Sequence, residues 1–326
     1  MAGKILIIVL LAVLGGVVFV TDRRATAREV QSEANYPPEG EFVTVNGREV
    51  HAVVMGSGPD LVLIHGAGGS TRDMTFSLVE RLTDDFRVIV FDRPGLGYTE
   101  RTDDRYASAF NADAETPAEQ AALLQAAAAA LGADRPLVLG HSFGGAVALA
   151  WALNHPEAIA GLIDVSGASM PWPGDLGWFY EVNGSTLGGA ILPPLITAYA
   201  PEDRIRESIN GIFAPNPTPE GYHHYVGADL AIRRDNLRAN TRQVNTLRPH
   251  VVAMAARYAS LTLPVEIVHG DADVTVPLSI HSEPLSRLIP GAVLTVLPGI
   301  GHMPHHADPE AVVAAIHRAA ERAGLR

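Results

Sequence analysis

The residues of this sequence that are best suited to chemistry lie in three short stretches, each of which follows an apolar run. Ser142 is the centre of Gly140–Gly144, a G-x-S-x-G pattern, and Asp273 and His302 lie much further along the chain. A serine hydroxyl is a weak nucleophile unless a base removes its proton, and the base must be held in one tautomer by an acceptor. A serine, a histidine and an aspartate can together supply nucleophilic catalysis through a covalent intermediate.

The surroundings of Ser142 predict a sharp turn between a strand and a helix. Leu137–Leu139 is a short apolar strand pattern directly before it, and Gly145–Asn154 is a helical pattern directly after it. Small neighbours leave room for strained backbone, and a helix N-terminus favours developing negative charge. This context predicts an exposed serine nucleophile. The alternative is an ordinary glycine-rich turn between a strand and a helix.

Short, mostly apolar runs predict the strands of one sheet. A hairpin pattern comes first, with two alternating segments around the turn dipeptide Asn46-Gly47: Glu41–Val45 and Glu49–Met55. The later runs are Leu61–Ile64, Val88–Phe91, Leu137–Leu139, Leu162–Val165, Val265–Val268 and Val293–Leu297. The helical patterns that separate most of them include Met74–Thr83, Thr116–Leu131, Gly145–Asn154 and Pro309–Ala323. This alternation predicts the α/β class, with a doubly wound, mostly parallel sheet.

The predicted sheet would bring the three chemical residues together. Asp273 follows the run Val265–Val268, and His302 follows the run Val293–Leu297. Because the carboxyl ends of parallel strands face one crevice, both loops can converge on Ser142. Asp164, near the end of its own strand, is the alternative acid.

One connection is too long for a simple crossover. Almost a hundred residues separate Ser166 from Leu263, and a segment of that length needs structure of its own. We expect a mostly helical cap over about residues 167–262, inserted between two core strands. Its larger apolar side chains could line a substrate pocket or form the cap's own core, and both remain open: Trp172, Trp178, Phe179, Tyr180, Leu192 and Ile196.

From about Glu41 to Gly324 the chain resembles the α/β-hydrolase family, in the serine esterase and lipase-like branch with an inserted helical cap. The resemblance rests on four motifs in the expected order. Besides the serine turn, these are the glycine-rich stretch His65–Ser70, the Gly-x-x-Asp pattern Gly270–Asp273, and the Gly-His step Gly301-His302.

The resemblance implies a role for each residue. Ser142 would be the nucleophile, His302 the base and Asp273 the acid, chosen over Asp271, and the amides of Ala67 and Phe143 would form the oxyanion hole. Two neighbouring loop residues are expected to be structural: His65 would order its loop by hydrogen bonds, and Arg93 would form an ion pair.

The activity expected from this resemblance is hydrolysis of a carboxylic ester of a small or medium apolar substrate through an acyl-enzyme. Alternatives are amide, thioester or carbon–carbon bond cleavage or acyl transfer by the same fold, and, in another class, a non-catalytic ligand-binding protein. Dehalogenases and epoxide hydrolases of similar architecture use an aspartate at the serine position, so Ser142 counts against both. The chemistry needs no cofactor.

The amino-acid composition of the chain also limits which partners and ligands it can be expected to bind. The formal charge of −12, from 24 basic and 36 acidic residues, argues against a general nucleic-acid binder. The absence of cysteine excludes disulfides and thiolate metal sites. No metal site is expected, because the adjacent pairs His223-His224 and His305-His306 would point apart, and the second pair is expected at the surface. The arginines at helical spacing predict either a solvated face or contact with an anionic membrane surface or a substrate carboxylate: Arg234, Arg238 and Arg242.

The N-terminus carries an apolar segment. Ile5–Val20 is an unbroken run of 16 apolar or glycine residues, and as a helix it would rise about 24 Å against roughly 30 Å of membrane hydrocarbon. Three interpretations remain: an uncleaved membrane anchor, a cleaved signal peptide with Ala25 and Ala27 near its cleavage site, and, least favoured, a buried helix.

Two domains are therefore expected. Residues 1–40 would be an anchor or signal segment, with a polar linker between Thr21 and Gly40, and residues 41–326 would be the hydrolase domain. The protein would be membrane-anchored by a single N-terminal helix, or exported if that segment is cleaved. The sequence indicates neither the side of the membrane nor the oligomeric state.

Overall fold

The apolar runs form one sheet of eight strands in the computed structural model, which describes residues 2–326. The strands are β1 (Glu41–Val45), β2 (Arg48–Met55), β3 (Asp60–Ile64), β4 (Arg87–Phe91), β5 (Leu137–His141), β6 (Gly161–Val165), β7 (Val265–Gly270) and β8 (Val293–Leu297). Their order is β1-β2-β4-β3-β5-β6-β7-β8. The pairs β1–β2 and β2–β4 are antiparallel and the others are parallel.

Thirteen helices accompany the sheet within residues 2–326. They are α1 (Ala2–Asn35), α2 (Thr71–Thr75), α3 (Pro117–Ala130), α4 (Phe143–Asn154), α5 (Trp178–Gly184), α6 (Thr186–Tyr199), α7 (Glu202–Phe213), α8 (Tyr222–Tyr225), α9 (Ala228–Ala231), α10 (Arg234–Ala255), α11 (Ser282–Leu288), α12 (Pro304–Ala307) and α13 (Pro309–Arg322).

The central strands bury both of their faces. In β3, Val62 and Ile64 belong to one apolar cluster, whereas Leu61 and Leu63 belong to a second cluster on the other face. All four side chains are fully buried. Helices cover each face, as a parallel sheet requires. The prediction of a doubly wound, mostly parallel sheet is therefore confirmed.

One predicted helix is wrong. Met74–Thr83 is not continuous, because α2 ends at Thr75 and only a single 3₁₀ turn, Val79–Arg81, follows it. Ser70 begins α2 earlier than the pattern indicates, since its side chain accepts a hydrogen bond from the amide of Arg72. The apolar periodicity of the segment reflects packing against the sheet, which these residues achieve without a continuous helix.

The predicted helical cap lies between β6 and β7. It consists of α5 to α10, and its longest helix is the 22-residue α10. Two of the three regularly spaced arginines are buried in it, so both interpretations of that stripe are wrong. The Arg242 guanidinium donates to the carbonyl of Ala109 over 2.7 Å, and that of Arg238 to the carbonyl of Gly189 over 2.8 Å. These side chains connect α10 to neighbouring segments.

The expected linker after Thr21 is instead the second half of α1, which packs against the cap. Thr21, Ala25 and Ser32 are buried there. Arg234, the third arginine of the stripe, lies 2.6 Å from Asp22 and 2.6 Å from Glu29, so its charge is neutralised by α1. A polar segment resembles a linker in sequence, but here its acidic side chains form ion pairs with an arginine of α10.

The first half of α1 is exposed along its length in residues 3–20. Ala2–Asn35 is the single helix among residues 2–326 that is long and apolar enough to cross a membrane. A helix of this kind is compatible with a membrane anchor or with a signal sequence.

We expect Arg234→Ala to loosen the second half of α1. Losing both ion pairs should cost about 1 kcal/mol, which corresponds to about fivefold more frequent local opening. The rate of tryptic cleavage after Arg23, Arg24 and Arg28 in the full-length protein in detergent measures this opening. Arg204→Ala is the control, because its exposed ion pair with Glu207 lies within α7. Equal cleavage rates in the two variants would contradict the docking of α1.

Candidate active site

The turn between β5 and α4 holds Ser142 in strained backbone geometry. Its φ of 54° and ψ of −119° are outside the usual regions for a residue with a side chain. The amide of Ser142 donates to the carbonyl of Val165 over 3.0 Å, and its carbonyl accepts from the amides of Gly145 and Ala168, each over 3.0 Å. These three hydrogen bonds anchor the strained residue to α4, to the end of β6 and to the loop that follows β6.

Glycine is required on both sides of Ser142 because the backbone segments are too close for a side chain. A Cβ atom at Gly140 would lie 2.2 Å from the carbonyl oxygen of Gly144, and one at Gly144 would lie 2.3 Å from that of Ile64. The G-x-S-x-G pattern is therefore a steric condition for this turn.

The structure brings together the three predicted residues. His302 Nε2 lies 2.9 Å from Ser142 Oγ, and His302 Nδ1 lies 2.7 Å from Asp273 Oδ2. Because a carboxylate can only accept at this distance, Nδ1 carries the proton and Nε2 is free to accept from the serine hydroxyl. All three side chains are buried.

The Asp273 carboxylate accepts hydrogen bonds from two further sets of donors. Its Oδ1 accepts from the amides of Thr275 and Val276 at 2.8 and 2.9 Å, and its Oδ2 also accepts from His269 Nε2 at 3.1 Å. Burial raises the pKa of Asp273, but the hydrogen bonds from His269 and His302 outweigh it and hold this pKa well below its usual value. The carboxylate of Asp273 therefore stays ionised at neutral pH.

Sequence reasoning missed His269. Its Nε2 lies between two acceptors, Asp273 Oδ2 and the carbonyl of Val276, so Nε2 must carry a proton. Its Nδ1 lies 2.6 Å from Ser282 Oγ, which fixes the ring from the other side. The position of His269 at the end of β7, four residues before Asp273, is the sequence signal that could have identified it.

The glycine-rich loop after β3 lies against the serine. A Cβ atom at Gly66 would be 3.0 Å from Ser142 Cβ, and Ala67 lines the same cavity as Ser142. His65 orders this loop through two hydrogen bonds: its Nδ1 donates to the carbonyl of Gly66 over 2.8 Å, and its Nε2 accepts from the amide of Arg93 over 3.0 Å.

The expected ion pair of Arg93 is wrong. The guanidinium is buried and donates to the carbonyls of His65 and Gly66 and to the side-chain oxygens of Gln120 and Gln243. Within residues 2–326 no carboxylate lies within 4.0 Å of it. Neutral acceptors from α3 and α10 take the place of a carboxylate, and Arg93 thereby connects the glycine-rich loop to the cap.

Asp164, the alternative acid, is not part of this hydrogen-bonded group. It is fully buried on β6, and neither of its carboxylate oxygens has a hydrogen-bond partner. A Cβ atom at Gly145 would lie 2.3 Å from its Oδ1, so the carboxyl packs behind the serine turn. Burial raises the pKa of Asp164 to about 7.

A cavity of about 630 Å³ opens over Ser142 and His302 and is lined mainly by the cap. Of the apolar cap residues predicted to line a pocket or form a core, Phe179, Tyr180 and Ile196 line the cavity. Trp172 packs against the main core and Trp178 is 71% exposed, so these five side chains divide among different roles.

Sequence reasoning missed the part of the cavity wall that α7 supplies. Ile205, Ile209 and Ile212 line the cavity from this helix. Their i, i+4, i+7 spacing in an otherwise polar helix is the signal that could have identified them.

The expectation for His305 and His306 is wrong. Both side chains are buried rather than at the surface, and their Nε2 atoms converge on Asp73 rather than pointing apart. Burial raises the pKa of Asp73, but the charge of His305 and the hydrogen bonds from both histidines outweigh it and hold this pKa well below its usual value. The turn of α12 after Pro304 brings the adjacent rings to the same side.

The proteins similar to this chain in sequence include two that are named for an activity. Haloalkane dehalogenase 2 of Mycobacterium tuberculosis is 27% identical over 291 residues, which cover 86% of this chain and 94% of that protein. Pimeloyl-[acyl-carrier protein] methyl ester esterase of Edwardsiella ictaluri is 27% identical over 270 residues, which cover 79% of this chain and 91% of that protein.

One solved structure is similar over the whole chain. The crystal structure of a membrane phospholipase A, described as a bacterial virulence factor, superposes with a TM-score of 0.67 at 23% identity. The match covers 100% of this chain and 99% of that one. At this identity the likeness establishes the fold alone.

The sequence model of the alpha/beta hydrolase family matches residues 61–315, about three quarters of the chain. That range begins in β3 and ends in α13, so it includes the serine turn, the two loops that carry Asp273 and His302, and the cap. The mostly parallel sheet and the cap inserted after β6 agree with this match. The chain therefore belongs to the alpha/beta hydrolase family.

Proposed function

We propose that this protein is a serine hydrolase that cleaves carboxylic esters of small or medium apolar acyl groups. The observation that carries the proposal is the continuous hydrogen-bonded series from Ser142 through His302 to Asp273, with distances of 2.9 and 2.7 Å. Because His302 accepts from the serine and donates to the carboxylate, it can take the serine proton as the nucleophile attacks.

In the first half of the proposed reaction, Ser142 Oγ attacks the ester carbonyl carbon while His302 Nε2 takes the hydroxyl proton. The oxyanion of the tetrahedral intermediate accepts hydrogen bonds from the amides of Ala67 and Phe143. The carbon–oxygen bond to the alcohol then breaks, and His302 returns its proton to the leaving oxygen. In the second half, water repeats this sequence on the acyl-enzyme and releases the acid.

Asp273 keeps the same tautomer of His302 throughout both halves and stabilises the imidazolium when it forms. His269 is a positioning residue in this scheme. Its Nε2–H bond to Asp273 Oδ2 and its own fixation by Ser282 limit the orientations that the carboxylate can adopt.

Serine at this position supports acyl transfer over displacement of halide, although one relative is named a dehalogenase. An attack of Ser142 on an alkyl halide would leave an ether, which an activated water does not cleave. An attack on a carboxylic ester leaves a new ester, which water can hydrolyse. The chemistry of the intermediate therefore favours the ester activity named for the Edwardsiella ictaluri relative.

The acyl specificity is proposed from the cavity. Isoleucines of α6 and α7 line it beside Ser142: Ile196, Ile205, Ile209 and Ile212. A wall of this kind favours apolar acyl groups, because burying each methylene contributes about 0.8 kcal/mol.

We further propose that α1 anchors the protein in a membrane and is retained, with residues 41–326 forming the hydrolase domain. Cleavage after Ala27 would remove Asp22, which pairs with Arg234, and would expose the cap surface that Ala25 covers. Retention keeps this surface buried, and it supports an anchor over a signal peptide.

Ser142→Ala should abolish ester hydrolysis, with a loss of at least about 10⁴-fold in kcat, because no other group can form the acyl-enzyme. Hydrolysis of p-nitrophenyl butyrate by the full-length protein in detergent measures this loss, and labelling by a fluorophosphonate probe reports the nucleophile directly. Ser260→Ala is the control, since Ser260 is exposed and remote from the cavity. Undiminished hydrolysis and labelling in S142A would refute the proposal.

Asp273→Asn and Asp164→Asn should separate the two candidate acids. The first should lower kcat about 10⁴-fold, since it loses the acceptor that selects the His302 tautomer. The second should leave kcat within about twofold, because Asp164 does not contact His302. The reverse pattern in esterase assays would reassign the acid.

Asp164→Asn should also change how stability depends on pH. The pKa of Asp164 is about 7 in the folded protein against 3.8 unfolded, so the stability that Asp164 contributes is full below pH 3.8 and is lost as pH rises through 7. Asparagine has no such loss. Relative to D164N, the wild-type free energy of unfolding should therefore fall by about 2 to 3 kcal/mol between pH 5 and pH 8, as measured by urea unfolding. A constant difference would contradict the raised pKa.

Ile209→Trp should shorten the preferred acyl chain, because the larger side chain fills part of the cavity. For p-nitrophenyl octanoate we expect kcat/KM to fall at least tenfold, and for the acetate ester less than twofold. Val252→Trp is the control, because Val252 is exposed on α10 outside the cavity. Equal losses on both esters would place the acyl chain elsewhere.

A further inference from the structure

A second group of polar side chains lies beside the cavity and takes no part in the proposed reaction. Asp73 Oδ1 lies 2.9 Å from His306 Nε2, and Asp73 Oδ2 lies 3.3 Å from His305 Nε2. The hydroxyl of Tyr222 donates to Oδ1 over 2.7 Å. We call Asp73, His305 and His306 the aspartate–histidine cluster. One ligand-type atom from each of the three residues lies within 4.8 Å of the others.

The cluster contains a buried carboxylate without a permanent cation. Asp73 is 5% exposed, and within residues 2–326 no arginine or lysine lies within 4.0 Å of it. Its neighbour Arg72 instead contacts Glu39 and the carbonyl of Pro37. Buried carboxylates in proteins are paired with cations or bound to metal ions, because an unbalanced charge in the interior is costly.

Within residues 2–326, Asp73 is the only hydrogen-bond partner of the two imidazole rings. The Nδ1 atoms of His305 and His306 are both buried without a hydrogen-bond partner, so each ring has a polar partner on its Nε2 side alone. The rings lie 4.1 Å apart between centroids and at 44° to each other, which directs both Nε2 atoms to one place. Two adjacent histidines that converge on a single carboxylate form the donor set of a two-histidine, one-carboxylate metal site.

We propose that Asp73, His305 and His306 bind a divalent transition-metal ion of the zinc class. A zinc ion lies about 2.0 to 2.2 Å from imidazole nitrogen and carboxylate oxygen, so ligand atoms in a tetrahedral site are separated by about 3.4 Å. The two aspartate–histidine distances of 2.9 and 3.3 Å are close to that value. On metal binding each neutral imidazole would keep one proton, which would move from Nε2 to Nδ1, and the cation would take the place of the two Nε2–H groups beside Asp73.

The donors also define which ions the site selects. Two imidazole nitrogens favour zinc, cobalt, nickel and copper over magnesium and calcium, which take oxygen ligands. With three protein ligands, a fourth position remains for water. Asp73 and Tyr222 both line the cavity over Ser142, so water and ions can approach Asp73 from that cavity.

One side chain, that of His141, lies between the aspartate–histidine cluster and the proposed base, His302. The His305 ring lies 4.4 Å from that of His141, which lies 5.0 Å from that of His302, and His141 Nε2 donates to the His302 carbonyl over 2.9 Å. The ion would therefore contact none of the reacting atoms, and binding can be measured independently of activity.

The test is titration of the metal-free, untagged full-length protein in detergent with Zn²⁺ by isothermal titration calorimetry. We expect one Zn²⁺ per chain in the wild type and at least about 100-fold weaker binding in D73N and in H306Q, since each loses one ligand. The control is H224Q, which alters the other adjacent histidine pair and whose side chain is exposed. It should bind as the wild type does.

A second measurement covers variants that fold poorly. Zn²⁺ should raise the Tm of the wild type and of H224Q but not that of D73N or H306Q, and labelling of Ser142 by the fluorophosphonate probe reports folding in each sample. The proposal is overturned if the wild type binds no Zn²⁺, or if D73N and H306Q bind it with unchanged affinity. A loss of binding in H224Q equal to that in H306Q would likewise overturn it.

Discussion

The rest of the site depends on the strained backbone of Ser142. A residue at φ 54° and ψ −119° is stable only if its surroundings hold it there. Hydrogen bonds to the backbone that follows β6 and steric contact with the end of β3 supply that restraint. The two glycines that permit this contact leave no room for side chains. The serine turn follows β5 and contacts the ends of β3 and β6. Because these central strands are buried on both faces, the positions of their ends are fixed.

The sequence sufficed to predict the parts of the site that follow directly from strand ends. Ser142, Asp273 and His302 each come after an apolar run, and a parallel sheet brings such loops to one edge. His269 and Asp73 could not be found this way. The contact between Asp73 and His306 joins residues 233 positions apart, and whether adjacent histidines diverge or converge depends on the backbone of a single short helix. Periodicity carries no information about that backbone.

The same limit explains the errors in the peripheral segments. Residues 21–35 are polar enough to resemble a linker, and Arg234, Arg238 and Arg242 resemble a solvated stripe. The structure of each of these segments depends on the residues that it contacts rather than on its own composition. Arg234 faces acidic side chains of α1, whereas Arg242 donates to carbonyls of the loop that precedes α3. Buried arginines with carbonyl acceptors have no sequence signature, because every residue supplies a carbonyl.

The unbroken helix α1 restricts how the hydrolase domain can move relative to the exposed N-terminal half of that helix. Its docked half, residues 21–35, rises about 22 Å as a straight helix and is joined to the exposed half without a break. If the exposed half spans a bilayer, as proposed, the domain would not swing on a flexible tether. The helix would instead set the height and tilt of the domain above the lipid. The domain would then move laterally with the membrane as one body.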